Sequence, residues 1–159
     1  MGADLYLKSV FQKNRARYEP RFNDWVTIRD ALRKAGKMEA AAKAQRQVSK
    51  YFEKIYARGY FRDSYNPSNL LWLFELSWWQ DVLDVLTDKK GRMSPNNARR
   101  FLQMLEEREP LFEANLKKVK LAKGETRAEV EQYFREKYKR LKAFLGEAIK
   151  RKECIECSL

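Results

Sequence analysis

No histidine occurs anywhere in the chain. That absence removes nucleophilic triads built on an imidazole base and most zinc-hydrolase ligand sets. Glycine is scarce at six residues and proline at four, too little turn chemistry for an all-β chain, and no Gly-rich phosphate loop or GxSxG motif is present. There are two cysteines, Cys154 and Cys157, in a CxxC without a second pair. A closed zinc site would need carboxylates for its remaining ligands, and a redox pair gains acidity at a helix N-terminus, whereas this pair follows a long helical pattern. Reduced cysteines in a short C-terminal tail, 153–159, are the expectation. Long apolar runs are missing as well. The longest, Leu70 to Phe74, is closed by Glu75, far short of the roughly 20 residues of a membrane span. The first residues alternate apolar and polar instead of forming a secretory signal, Tyr6 stands where myristoylation needs Ser or Thr, and Cys157 is misplaced for prenylation. A cytoplasmic protein without membrane attachment is expected.

What the chain has in quantity is charge and helix formers. Hydrophobic residues make up 44% and charged residues 35% of 159 positions, with 34 Lys and Arg against 22 Asp and Glu, a net +12. Phe22, Trp25, Ile28 and Leu32 recur at threes and fours, predicting a helix over 20–35 stopped by Gly36. Ala41, Ala44, Val48, Phe52 and Ile55 predict a second over 38–57, giving an N-terminal helical hairpin. Asp63 to Pro67 has turn composition, and a short helix is expected after Ser68. Ser77 with Gln80, Ser94-Pro95, and Thr126 with Glu129 are helix-start signals. Pro110 either starts a helix or bends one. The last helix is expected to reach about Lys152, with Glu131 to Arg135 and Glu136 to Arg140 as acid-first pairs along it. The economical fold is all-α: one compact bundle of five or six helices over 1–152, with the hairpin at one end of the sequence and a long C-terminal helix at the other.

The positive charge is uneven: net +7 for residues 1–57, −1 for 58–91, +4 for 92–124 and +2 for 125–159. On the second helix Lys43, Arg46, Lys50 and Lys54 fall in one stripe, which Arg29 and Arg33 extend on the first. Such a stripe suits a phosphate backbone or an acidic protein, and equally a merely solvated face. The stretch RGYFRDSYNPSNLLWLFELSWW, residues 58–79, is the aromatic centre of the chain. Its basic-free second half, with Trp72, Trp78 and Trp79, suits a core, although adjacent tryptophans on a helix cannot both face it. Its first half, with Arg58, Tyr60, Arg62, Asp63 and Tyr65, is expected as a turn presenting those side chains. Asp81, Asp84 and Asp88 share a helix side, but Lys90 and Asn97 replace ligands a calcium loop needs, so no metal is expected and no cofactor.

The strings MGADLY, RGYFRDSYN, LLW and LSWW, with REP near residue 108, resemble a group of small uncharacterised proteins of bacteria and their mobile elements. The resemblance spans most of the chain and implies no catalytic residue. Members carry Gly just before LSWW, where this chain has Glu75 and Leu76, and they are less basic. The resemblance implies a bacterial or phage setting, in which small proteins often act as accessory binders or inhibitors. The reading that follows is a non-enzymatic protein that binds a macromolecule through the basic helical face and the Arg58 to Tyr65 segment. A protein partner leads, a sequence-nonspecific nucleic-acid binder is the alternative, and a small carboxylate enzyme comes third.

Overall fold

The computed structural model describes residues 2–64 and 69–158. The chain divides into two compact units, Lys8–Gly59 and the remainder, Met1–Leu7 with Tyr60–Leu159.

The first unit is the expected hairpin, α1 (Lys8–Lys34) and α2 (Met38–Tyr56). Helix α1 starts well before Pro20, which lies inside it. Proline takes a donor from the carbonyl four residues earlier, that of Ala16, and both residues are exposed, so water can satisfy the orphaned oxygen. Gly36, at φ +70°, ends α1: its N–H bonds the Arg33 carbonyl and that of Lys37 bonds Leu32, a Schellman closure. Ala41 and Ala44, both buried, keep the facing surface of α2 thin. An aromatic row then seals one side, with Phe52 4.5 Å from Tyr56 between rings, Phe11 5.4 Å from Tyr56 and Phe22 6.2 Å from Phe52. A Cβ on Gly59 would come within 2.8 Å of the Phe11 backbone nitrogen, so only glycine fits there.

The second unit is mostly helical but not purely so. It carries a four-stranded antiparallel sheet in the order β2-β1-β4-β3, from β1 (Gly2–Tyr6), β2 (Tyr60–Ser64), β3 (Arg92–Met93) and β4 (Ile155–Ser158). An all-α bundle is therefore corrected to a helical fold built on a small sheet. Two readings change through side-chain alternation with a period of two, and a third through strand pairing. Ala3 and Leu5 are buried between the more exposed Gly2, Asp4 and Tyr6, so the alternation that argues against a signal sequence is that of a strand. Phe61 and Asp63 are buried between Tyr60, Arg62 and Ser64, so the expected turn is an edge strand. The expected C-terminal tail is β4, anchored by fully buried Ile155 between β1 and β3.

Helices α3 (Leu70–Leu73), α4 (Asp84–Leu86), α5 (Pro95–Glu107), α6 (Glu109–Leu116) and α7 (Arg127–Arg151) complete the unit, with a π-helical turn, Trp78–Leu83, leading into α4. Pro110 lies in the first turn of the separate helix α6. Ser94 caps α5, and Thr126 and Glu129 form the full capping box of α7. At Ser77 half of the expected box forms: its hydroxyl accepts from the Gln80 N–H, while its own N–H goes to the Asp81 carboxylate at 2.7 Å. The core centres on Phe74, which stacks on Phe112 at 4.9 Å and meets the Tyr138 ring edge-on at 4.9 Å. Each such pair contributes about 0.5–1.5 kcal/mol beyond area burial. Trp78 is buried, whereas Trp72 and Trp79 are exposed. Trp72 is thus corrected from core to surface, since the single turn of α3 turns Leu70, Leu71 and Leu73 inward and leaves it outside.

Candidate functional site

The sheet unit holds a groove of about 430 Å³ lined by five consecutive residues of β2, Tyr60 to Ser64, and by Tyr133, Glu136, Lys137 and Arg140 of α7. Successive strand residues point to opposite faces, so a cavity touching all five runs along the strand's edge. The α7 residues are three, four and seven apart, one helix face. β2 is the outermost strand of the sheet.

Asp63 forms the floor. Its carboxylate is shielded from solvent, pairs with the Lys137 ammonium at 2.6 Å, and accepts the Trp78 indole N–H at 2.8 Å. The Leu70 N–H adds contacts at 3.1 and 3.2 Å, and Leu71 one at 3.4 Å. One carboxylate thus ties β2 to α3, to the π-helical turn and to α7. Asp63, expected to be presented by a turn, is an internal anchor. Tyr60 lies on the sheet face opposite Asp63, with its ring 5.1 Å from Tyr6, and donates its hydroxyl to Asp4 at 2.5 Å. Desolvation first, and then the Asp4 carboxylate, push the Tyr60 phenol well above its ordinary pKa. Arg62 stands opposite Asp4 in the β1–β2 register, its Nε 3.6 Å from that carboxylate, and is otherwise solvated. Arg140 is exposed and has no ion-pair or hydrogen-bond partner among the described residues. Glu136 accepts from Gln132 at 2.9 Å, not from Arg140, and Arg135 pairs with Glu113 across to α6. The two expected acid-first pairs on α7 are therefore replaced by other partners. Tyr65 lies outside the described residues.

The remaining sequence candidates belong to the hairpin. Arg33, Lys43, Arg46, Lys50 and Arg58 are exposed, and Lys43 pairs with Glu39 at 3.2 Å. Arg29 is occupied inside the hairpin, bonded to Asp30 at 2.8 Å and to Gln45 of α2 at 3.0 Å. Lys54 is half-buried, with its ammonium 5.3 Å from the Tyr18 ring centre and 5.4 Å from that of Tyr51. The stripe expected to run through all six thus keeps its exposed cations on α2 and at Arg33. At 100° per residue, Phe52 falls on the far side of α2 from Lys43, Arg46 and Lys50, which gives the hairpin a basic side and an aromatic side.

Comparison with protein families, curated proteins and solved structures finds no match.

The residues that sequence reasoning passes over are Tyr133, Lys137 and Arg140. One signal for Lys137 exists: on a helical projection it falls inside the apolar arc of Val130, Phe134, Phe144 and Ala148, where a cation needs a buried counter-ion. Two of the three carboxylates considered for a metal, Asp81 and Asp88, have other work. Asp81 holds the Ser77 N–H, while Asp88 accepts from the Lys90 N–H at 2.8 Å and the Arg92 N–H at 3.0 Å. Those two bonds keep the Asp88 carboxyl below its usual range. The cysteines are both free, Cys154 exposed and Cys157 within β4, where burial pushes the thiol up to about 12.

Proposed function

We propose that the protein is a non-enzymatic accessory binder or inhibitor in a bacterial or phage setting, whose hairpin engages an acidic protein partner. The carrying observation is the concentration of charge: Lys8–Gly59 has fourteen Lys and Arg against five Asp and Glu, +9 of the chain's +12. A potential of that sign steers acidic surfaces toward the hairpin and raises the association rate. Ile28, Met38 and Phe52, at 43%, 66% and 51% exposure, supply apolar anchors that a phosphate backbone would not use.

The even spacing of Lys43, Arg46 and Lys50 favours nucleic acid as the second reading, and one experiment separates the two. The protein, and a variant with those three residues changed to Glu, are used to capture partners from a bacterial lysate with and without nuclease. The expected result is a defined protein retained after nuclease and lost by the variant. Capture that disappears with nuclease, with affinity falling at a log–log salt slope near −0.9 per phosphate contacted, would install the second reading. Identical capture by both proteins would overturn the hairpin as the binding element.

A further inference from the structure

We propose that the outer edge of β2 is a strand-addition site for an extended acidic peptide of a partner protein, received in the groove between β2 and α7. This rests on the sheet unit alone and does not depend on the hairpin. The backbone register supplies the first argument. The Cys157 N–H is given to the Gly91 carbonyl at 2.9 Å, so Cys157 turns its main-chain groups toward the β3 side. Alternation then turns Glu156 and Ser158 toward β1, where they face Tyr6 and Asp4. Asp4 and Tyr6 are thus engaged with β4, which leaves Ala3 and Leu5 to bond their opposites on β2, Asp63 and Phe61. The next step of the alternation turns the Arg62 N–H and C=O outward, into the middle of the groove. One residue of an added strand would exchange both bonds with Arg62, as in any antiparallel hydrogen-bonded pair.

The second argument is the shape and charge of the groove. An added strand places alternate side chains over α7 and over the opposite face of the sheet. On the α7 side they meet Arg140 and the exposed ring of Tyr133. On the opposite face they lie beside Arg62 and Tyr60. The lining contains three cations and two carboxylates: Lys137 and Asp63 neutralise one another at 2.6 Å, and Glu136 keeps its charge while accepting from Gln132, which leaves the groove one positive charge in excess. Arg140 has no partner among the described residues and Arg62 only the 3.6 Å contact with Asp4, so each face of the groove offers an arginine to a carboxylate of the peptide. The Asp63 clamp holds the strand against α7 and α3, which keeps the groove formed before any peptide arrives.

The test uses the full chain and a fluorescein-labelled peptide of alternating Glu and Val long enough to pair with all of β2, followed by anisotropy. Copies N-methylated on one alternate set of backbone amides, or on the other, test the main-chain pairing. One set is expected to abolish binding and the other to leave it, because only one edge of the peptide faces β2. Arg140→Glu and Arg62→Pro are each expected to weaken binding about tenfold or more, with unchanged melting. Proline is tolerated where an edge N–H faces outward. Lys43→Glu/Arg46→Glu/Lys50→Glu, in the hairpin, is expected to bind the peptide as the parent does. The proposal is overturned if both methylated peptides bind equally well, if Arg140→Glu binds like the parent, or if inorganic phosphate at matched concentration displaces the peptide. The last result would reduce the groove to an anion site.

Discussion

Single residues in this protein carry unusual shares of the structure, and Asp63 is the clearest. Its carboxylate serves three neighbouring elements at once, and Lys137, with its side chain 14% exposed, has little water to fall back on. Asp63→Asn keeps the volume but strands that ammonium, an expected loss of about 3 kcal/mol in urea unfolding. Adding Lys137→Met to Asp63→Asn should recover part of it. No recovery would mean the cost lies in the hydrogen bonds to Leu70 and Trp78. Glu75 shows the opposite economy. It adopts φ +55° to close α3, with its N–H to the Trp72 carbonyl at 2.9 Å and that of Leu76 to Leu71 at 3.1 Å. A left-handed closure of this kind is ordinarily made by glycine, and here a glutamate makes it. Glu75→Gly is expected to stabilise by about 1 kcal/mol, visible as a higher melting temperature. Cys157 predicts a pH effect. Its folded pKa is raised, so the unfolded chain loses its proton first, near 8.5, and stability falls as pH rises from there toward about 12. Iodoacetamide at mildly alkaline pH should accordingly label Cys154 well before Cys157.

At the scale of elements, helices and strands differ in how much of themselves they write into the sequence. Helix α7 announces itself through a capping box and through Val130, Phe134, Tyr138, Leu141, Leu145 and Ala148 at threes and fours. Thr126→Ala should cost about 1 kcal/mol by thermal melting, since the hydroxyl's bond to the Glu129 N–H is a local one. The hairpin was legible from Gly36 and the periodicities on either side, except that α1 begins at Lys8 and not at Pro20, where proline reads as a helix start. The strands were not. With two to five residues each, they offer two alternations at most, and β3 and β4 acquire meaning only from partners more than sixty residues apart in the chain. The candidate groove shares that fate. Tyr60, Arg62 and Asp63 were visible as an odd aromatic and charged cluster, but their face on α7 lies some seventy residues downstream and enters through pairing that no local pattern encodes. Lys137 within an apolar arc was the one local hint of that pairing.

For the whole molecule, the charge distribution and the chain path tell a common story. The hairpin carries most of the net charge and is made of two helices consecutive in the chain, while the sheet joins the first strand to the last. Salt should therefore act unequally: binding through Lys43, Arg46 and Lys50 weakens steeply with ionic strength, whereas the melting transition of the sheet unit, resting on Ile155, Phe61 and Trp78, barely moves. The position of β4 between β1 and β3 has a further effect that concerns time more than energy. During synthesis β1 emerges first and β4 some 150 residues later, so a nascent chain still short of Ile155 can hold a closed hairpin and a β1–β2 ladder whose other edge has no strand to pair with. That interval, several seconds or more at ordinary translation rates, is when the chain is most open to capture by a chaperone or by another copy of itself.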